Sequence, residues 1–185
     1  MGGALALRNA VRVLCAGGVI AYPTEAVWGL GCEPRNRHAV ARLLAIKQRD
    51  WRKGLILIAA HFEQLQPFIA RLGNARLKSA LSSWPGPTTW LLPAADDAPG
   101  WITGGSGKIA VRVTAHPLAA TLCRGYGGAI VSTSANISSR PPARNRMQVQ
   151  RRFNGAVDFI LAGALGGLDR PTSIRELGSG RTLRK

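Results

Sequence analysis

A chain of 185 residues with 46% apolar content is long enough for one well-buried core and short for two. Its 25 Lys and Arg against 9 Asp and Glu leave a net charge of +16, which makes polyanions the natural partners, although a basic surface also serves solubility alone. No apolar run approaches the roughly 20 residues of a membrane span, and three scattered cysteines fit neither a disulfide framework nor a zinc knuckle. The expectation is one soluble, cytoplasmic domain over 1–185, without a membrane partner and without a metal site.

In chain order, Leu5, Val11 and Leu14 carry helical spacing over 3–16. An apolar run over 19–22 predicts a strand stopped by Pro23, after which Thr24-Glu25 steps into a Gly-flanked aromatic turn at Trp28, Gly29 and Gly31. Thr24 is read either as a cap on that turn or as a site residue where the strand end opens. Val40, Leu43 and Leu44 predict a helix over 36–47, which ends in Lys47-Gln48-Arg49. Two cations two positions apart, with Arg52 and Lys53 following, suggest an anion site.

Further strands are predicted at 55–59, 89–92, 109–113, 129–132 and 157–161, and helices at 62–72, 75–82, 116–124 and 147–153. Interleaved strands and helices imply an α/β domain with a twisted mixed sheet flanked by helices, with the Pro-rich stretches 84–87 and 140–142 as loops. The run Gly104-Gly105-Ser106-Gly107-Lys108 lacks the spacing of a phosphate loop and is read as a turn before a strand. Arg112 interrupts an apolar strand, so it must be paired, meet an anionic ligand or snorkel to the sheet edge. The strand at 129–132 discharges into Ser132, Thr133, Ser134 and Asn136. If the extension persists, Ser132, Ser134 and Asn136 project together; a Ser/Asn turn closing the strand is the alternative.

Six ordered segments carry a family resemblance: Tyr22-Pro23-Thr24-Glu25-Ala26-Val27-Trp28-Gly29-Leu30-Gly31-Cys32, Lys47-Gln48-Arg49, Lys53-Gly54-Leu55-Ile56-Leu57-Ile58, Trp84-Pro85-Gly86-Pro87-Thr88-Thr89, Ala110-Val111-Arg112-Val113 and Ser132-Thr133-Ser134-Ala135-Asn136. Together they resemble the YrdC family in its short form, from about Ala10 to Arg175. The resemblance implies a YrdC-like fold with a basic concave ligand groove. It also implies a nucleotidyltransferase that makes threonylcarbamoyl-AMP and pyrophosphate from L-threonine, bicarbonate or CO2, and ATP. That product serves the threonylcarbamoyl modification of adenosine 37 in tRNAs reading ANN codons, through separate tRNA-modification proteins.

The same resemblance places Lys47 and Arg49 at the reacting phosphate and carbamate. It puts Thr24, Arg112 and Ser134 on threonine with Thr172 or Ser173 closing over it, and Ser132, Asn136 and Arg184 on ATP. Magnesium is expected to arrive with ATP. Two departures from the family pattern bear on these roles: Asp50 follows Arg49 and could pair with Arg49 or Arg52, and Arg140 and Arg144 stand where relatives carry small or hydroxyl residues. The alternative function is a non-catalytic module that binds tRNA or structured rRNA, which uses the charge more directly but leaves the motifs without a role.

Overall fold

The computed structural model describes residues 2–184, so the outermost residues of the expected domain lie outside the described residues. Among the described residues nine strands form one mixed sheet. They are β1 (Ile20–Pro23), β2 (Trp28–Gly31), β3 (Ile56–Ala59), β4 (Thr88–Pro93), β5 (Lys108–Val113), β6 (Ile130–Ser134), β7 (Phe159–Ile160), β8 (Ser173–Glu176) and β9 (Thr182–Arg184). Their order is β7-β1-β2-β6-β3-β5-β4-β8-β9, with β7/β1, β3/β5 and β4/β8 parallel and the other pairs antiparallel.

The helices are α1 (Gly2–Cys15), α2 (Arg37–Lys47), α3 (Asn74–Leu81), α4 (Gly100–Thr103), α5 (Pro117–Tyr126) and α6 (Arg146–Phe153). Side chains alternate along each strand, which divides the core into two layers. On one face Ala21, Leu30, Leu57, Val111 and Val131 pack with Val40 and Leu43 of α2, Leu77 of α3 and Val149 and Phe153 of α6. On the other, Ile20, Tyr22, Ile58 and Ile130 pack with Ala10 and Leu14 of α1 and Leu122 and Cys123 of α5. Each fully buried Leu, Ile or Phe contributes about 1.5–3 kcal/mol relative to exposure. The second layer is shorter than the sheet: α1 and α5 lie against β1, β3 and β7. The part of this face carried by β6, β3, β5 and β4 is therefore left to line a cavity.

The expected α/β architecture is observed, with corrections to individual elements. The stretch 62–72 is not a helix but two 3-10 turns, Phe62–Gln64 and Gln66–Phe68. Pro67 has no N–H for a continuing helix, and the Gln64 side chain instead bonds the Ala60 N–H and the Cys123 carbonyl. The aromatic turn at 28–31 is strand β2, inserted between β1 and β6. Its glycines fit a crowded side of the sheet: a Cβ on Gly31 would stand 2.5 Å from the Val131 carbonyl oxygen and 2.9 Å from the Tyr22 ring. The extended run at 157–161 shortens to β7, and the β8–β9 pair near the end of the chain was not anticipated.

Candidate active site

The cavity holds about 520 Å³, a volume suited to a small ligand. Its floor is a row in register across four strands: Leu91 of β4, Ala110 of β5, Ile56 of β3 and Ser132 of β6. Around this largely apolar floor stand, among the described residues, six cations, Arg49, Arg52, Lys53, Lys108, Arg112 and Arg184, and the hydroxyls of Thr24, Thr133, Ser134 and Thr172. No Asp or Glu lines it among the described residues. Such a wall attracts anions and offers them charge-assisted hydrogen bonds.

Arg112 is the most deeply set of these cations. Its guanidinium bonds Glu25 at 2.8 Å, and Glu25 also accepts from the Thr114 hydroxyl at 2.6 Å. Burial raises the Glu25 carboxyl, but Arg112 and Thr114 outweigh it, so the group lies below its ordinary value and stays ionised. Arg112 is thus paired and also lines the cavity, which joins two of the readings open in the sequence. Its Nε is buried without a partner among the described residues, as is the Nε of Arg49.

Lys47 and Arg49 are separated by the way α2 ends. Gln48 adopts a left-handed conformation at φ 49°, and the N–H groups of Gln48 and Arg49 return to the Ala45 and Leu44 carbonyls. Arg49 is thereby turned into the cavity, where its guanidinium bonds the Gly54 carbonyl at 3.1 Å. Burial pulls it below the ordinary arginine range. Lys47 instead turns under the wall. At 2% exposure, its ammonium bonds the Ser134 carbonyl, the Asn136 carbonyl at 2.9 Å and the Asn136 side-chain oxygen at 3.2 Å. Burial first, and Arg49 second, bring Lys47 down to about 8.

The Ser-x-Asn segment closes this clasp from the other side. The Ser138 N–H and hydroxyl both donate to the Lys47 carbonyl, at 2.9 and 3.0 Å. β6 ends at Ser134, so the expected projection of Ser132, Ser134 and Asn136 from one extended strand does not hold. Ser132 and Ser134 line the cavity; Asn136 does not, and bonds the Ser134 hydroxyl at 2.6 Å and the Ile137 and Arg140 carbonyls. The chain bends here because these side-chain bonds replace the strand ladder.

Thr24 fits both of its readings: its hydroxyl donates to the Val27 carbonyl at 2.7 Å, closing the β1–β2 turn, and it lines the cavity. Thr172 and Ile174 line the cavity, whereas Ser173 does not. Arg184 lines the cavity and donates to the Thr172 carbonyl at 2.9 Å. Burial, then the charges of Arg112 and Arg49, pull Arg184 down, which reflects the convergence of three guanidinium groups. Asp50 pairs with Arg52 at 3.1 Å and caps the 3-10 turn Trp51–Lys53, so that among the described residues Arg49 has no carboxylate partner. Arg140 and Arg144 are absent from the lining.

Sequence reasoning missed Ser106, Lys108 and Leu183 as wall residues. Gly104, Gly105 and Gly107 have φ values of 66°, 75° and 65°, and these left-handed steps bring Ser106 and Lys108 to the cavity. The glycine spacing around Lys108 was the available signal.

These features define an α/β protein with a cation-lined cleft built on the uncovered part of a mixed sheet. Residues 12–185 match the family model Sua5/YciO/YrdC, described as telomere recombination, and the chain belongs to that family. Its relatives include the threonylcarbamoyl-AMP synthase of Halorhodospira halophila, 56% identical over 179 residues that make up 97% of this chain and 94% of that protein. The synthase of Alkalilimnicola ehrlichii is 56% identical over 182 residues, 96% of this chain and 94% of its own. Their shared name is that of a nucleotidyltransferase-type enzyme. Among solved structures, P. abyssi Sua5 complexed with L-threonine matches with a TM-score of 0.88 and 32% identity over 95% of this chain, which spans 52% of that one. E. coli YciO shares the fold, with a TM-score of 0.85 at 24% identity, over 97% of this chain and 88% of its own. Among the described residues no helix is long and apolar enough to cross a membrane.

Proposed function

We propose that this protein is a cytoplasmic threonylcarbamoyl-AMP synthase, joining L-threonine, bicarbonate or CO2 and ATP, with pyrophosphate as the second product. The carrying observation is the convergence of Arg49, Arg112 and Arg184 on one cavity whose described lining has hydroxyls but no carboxylate. Threonine and ATP both present anionic groups, and the curated relatives bear the name of this activity along nearly their full length.

In this reading Arg112, braced by Glu25, receives the threonine carboxylate, while Thr24, Ser134 and Thr172 surround the amino acid. Arg49 and Arg184 face the nucleotide phosphates, with Ser132 on the floor between the two substrates. Lys47 and Asn136 support the reaction from beneath by holding the Ser134 loop in place. The amine nitrogen of threonine forms a bond to carbon of CO2 and releases a proton to solvent. A carbamate oxygen then attacks the α-phosphorus, and the bond to the pyrophosphate oxygen breaks.

Orientation of this kind can lower a barrier by about 7–11 kcal/mol. The guanidinium groups stabilise charge building on the phosphoryl oxygens. The lining is a poor fit for a protein-held divalent ion, since it offers no carboxylate; magnesium is taken to enter on the triphosphate. The product would pass to separate proteins that modify tRNA.

Pyrophosphate release, with each substrate omitted in turn, tests the reading. Release that needs ATP, threonine and bicarbonate together and collapses in Arg49→Ala supports it. Absence of release beside tight, salt-sensitive tRNA binding points to the RNA-binding module instead.

A further inference from the structure

Between β7 and β8 the chain runs from one side of the sheet to the other, and residues 161–172 form a strap across it. Its bonds to the body are specific. The Leu161 N–H donates to the Ala21 carbonyl at 2.8 Å, the Gly166 N–H to the Thr24 carbonyl at 3.0 Å, and the Leu168 N–H to the Glu25 carbonyl at 2.9 Å. Gly166 lies so close to the turn that a Cβ there would stand 2.9 Å from Glu25 Cα. The far end of the strap supplies Pro171 and Thr172 to the cavity.

One buried side chain joins the strap to the α5 layer. His116 Nδ1 accepts from the Ala119 N–H at 3.3 Å and caps α5, while Nε2 meets the Ala164 carbonyl at 3.0 Å. A carbonyl only accepts and the Ala119 N–H only donates, so the imidazole is the neutral Nε2–H tautomer. The His116 backbone N–H also donates to the Thr114 hydroxyl at 3.2 Å, and that hydroxyl holds Glu25, the partner of Arg112. Strap, turn and cavity cation thus meet at one histidine.

We propose that His116 is a positioning residue for the Arg112 anion site: through Ala164 it fastens the strap over the Thr24–Glu25 turn, and the fastened turn holds the carboxylate that aims Arg112. The inference rests on the synthase reading for its substrate, threonine, but the strap itself can be followed without substrate. Asn at 116 retains an acceptor near the Nδ1 position and loses the donor to Ala164. Gln retains a donor near the Nε2 position and loses the cap. His116→Asn is therefore expected to stay close to wild type in thermal stability, yet to lose about tenfold in amide-exchange protection at Gly166 and Leu168 and to raise KM for threonine about tenfold. Its kcat stays within about twofold. His116→Gln melts earlier but keeps the protection and KM of wild type.

Unchanged exchange at Gly166 and Leu168 in His116→Asn overturns the inference, as does a KM that follows stability, worse in His116→Gln than in His116→Asn. If wild type shows no threonine-dependent turnover, the synthase reading falls by itself; the exchange measurement then still decides whether His116 fastens the strap.

Discussion

Arg112 and Glu25, 87 positions apart, form a buried ion pair at 2.8 Å that ties β5 to the turn between β1 and β2. The pair holds the cavity's deepest cation in place and also belongs to the core, so its loss is felt in stability as well as in binding.

Glu25→Ala strands a buried guanidinium and is expected to destabilise the fold by about 3–5 kcal/mol. Because the folded carboxyl lies below its ordinary value, its contribution is complete above the unfolded value of about 4.3 and is lost as pH falls through the lower folded value. Urea unfolding at pH 7, 5 and 3 checks this. The gap between wild type and Glu25→Gln should be widest at pH 7 and narrow at pH 3; a gap independent of pH would contradict the pairing as the cause.

Lys47 gives a pH limb of the opposite kind. It is brought down to about 8, chiefly by burial, so the ammonium that holds Ser134 and Asn136 gives up its proton as pH rises through that value. Linkage alone favours the native state between about pH 8 and the free-lysine value of about 10.4, because there the unfolded chain binds the extra proton. Activity is therefore the readout that falls. Turnover is expected to decline above about pH 8, in step with the Lys47 side-chain resonance followed by NMR. Lys47→Met, which leaves carbonyls unpaired, should lower stability by about 1–3 kcal/mol and abolish the limb.

Arg49 and Asp50 are neighbours in sequence but not in function. Asp50 is taken by Arg52, while Arg49 bonds the Gly54 carbonyl and lines the cavity. Asp50→Ala is expected to leave KM for ATP within roughly twofold, the scale of an exposed pair. Arg49→Ala, losing a charge-assisted bond worth about 1.5–3 kcal/mol, should reduce kcat/KM by at least tenfold. Steady-state kinetics on the two variants separates them, and equal losses would show that Asp50 governs Arg49 after all.

The contrast between these neighbours marks what could be read from the chain. Local periodicity disclosed α1, α2, α3, α5, α6 and strands β1 and β3 to β6, although Leu5, which carries part of the spacing of α1, is exposed. It also disclosed Arg112 as a buried cation. The identity of its partner was hidden, since nothing local connects position 112 to position 25. The divergence of Lys47 from Arg49 depends on a left-handed Gln48, a conformation not encoded by that residue type. Strands β8 and β9 escaped notice because Arg175 and Arg184 break any apolar alternation at this edge of the sheet.

Strand β2 is the element whose residues argued against it, and it carries a direct test. Gly29 and Gly31 read as turn residues, but in the fold Gly31 lies beneath the Tyr22 ring and against the Val131 carbonyl. A methyl group at Gly31 meets a backbone oxygen at 2.5 Å, and that oxygen belongs to β6, the strand that carries Ser132 and Ser134 into the cavity. The backbone has no rotamer with which to yield, so β2 and β6 must separate. Gly31→Ala is expected to cost about 3 kcal/mol, toward the upper end for overpacking. It should also raise KM for threonine as Ser134 is displaced. Gly3→Ala, on the exposed side of α1 with nothing within 4 Å of the added methyl, is the control and should not destabilise. Thermal melts of the two variants alongside wild type check the difference, and a Gly31→Ala protein as stable as wild type would show that β2 is not clamped between Tyr22 and β6.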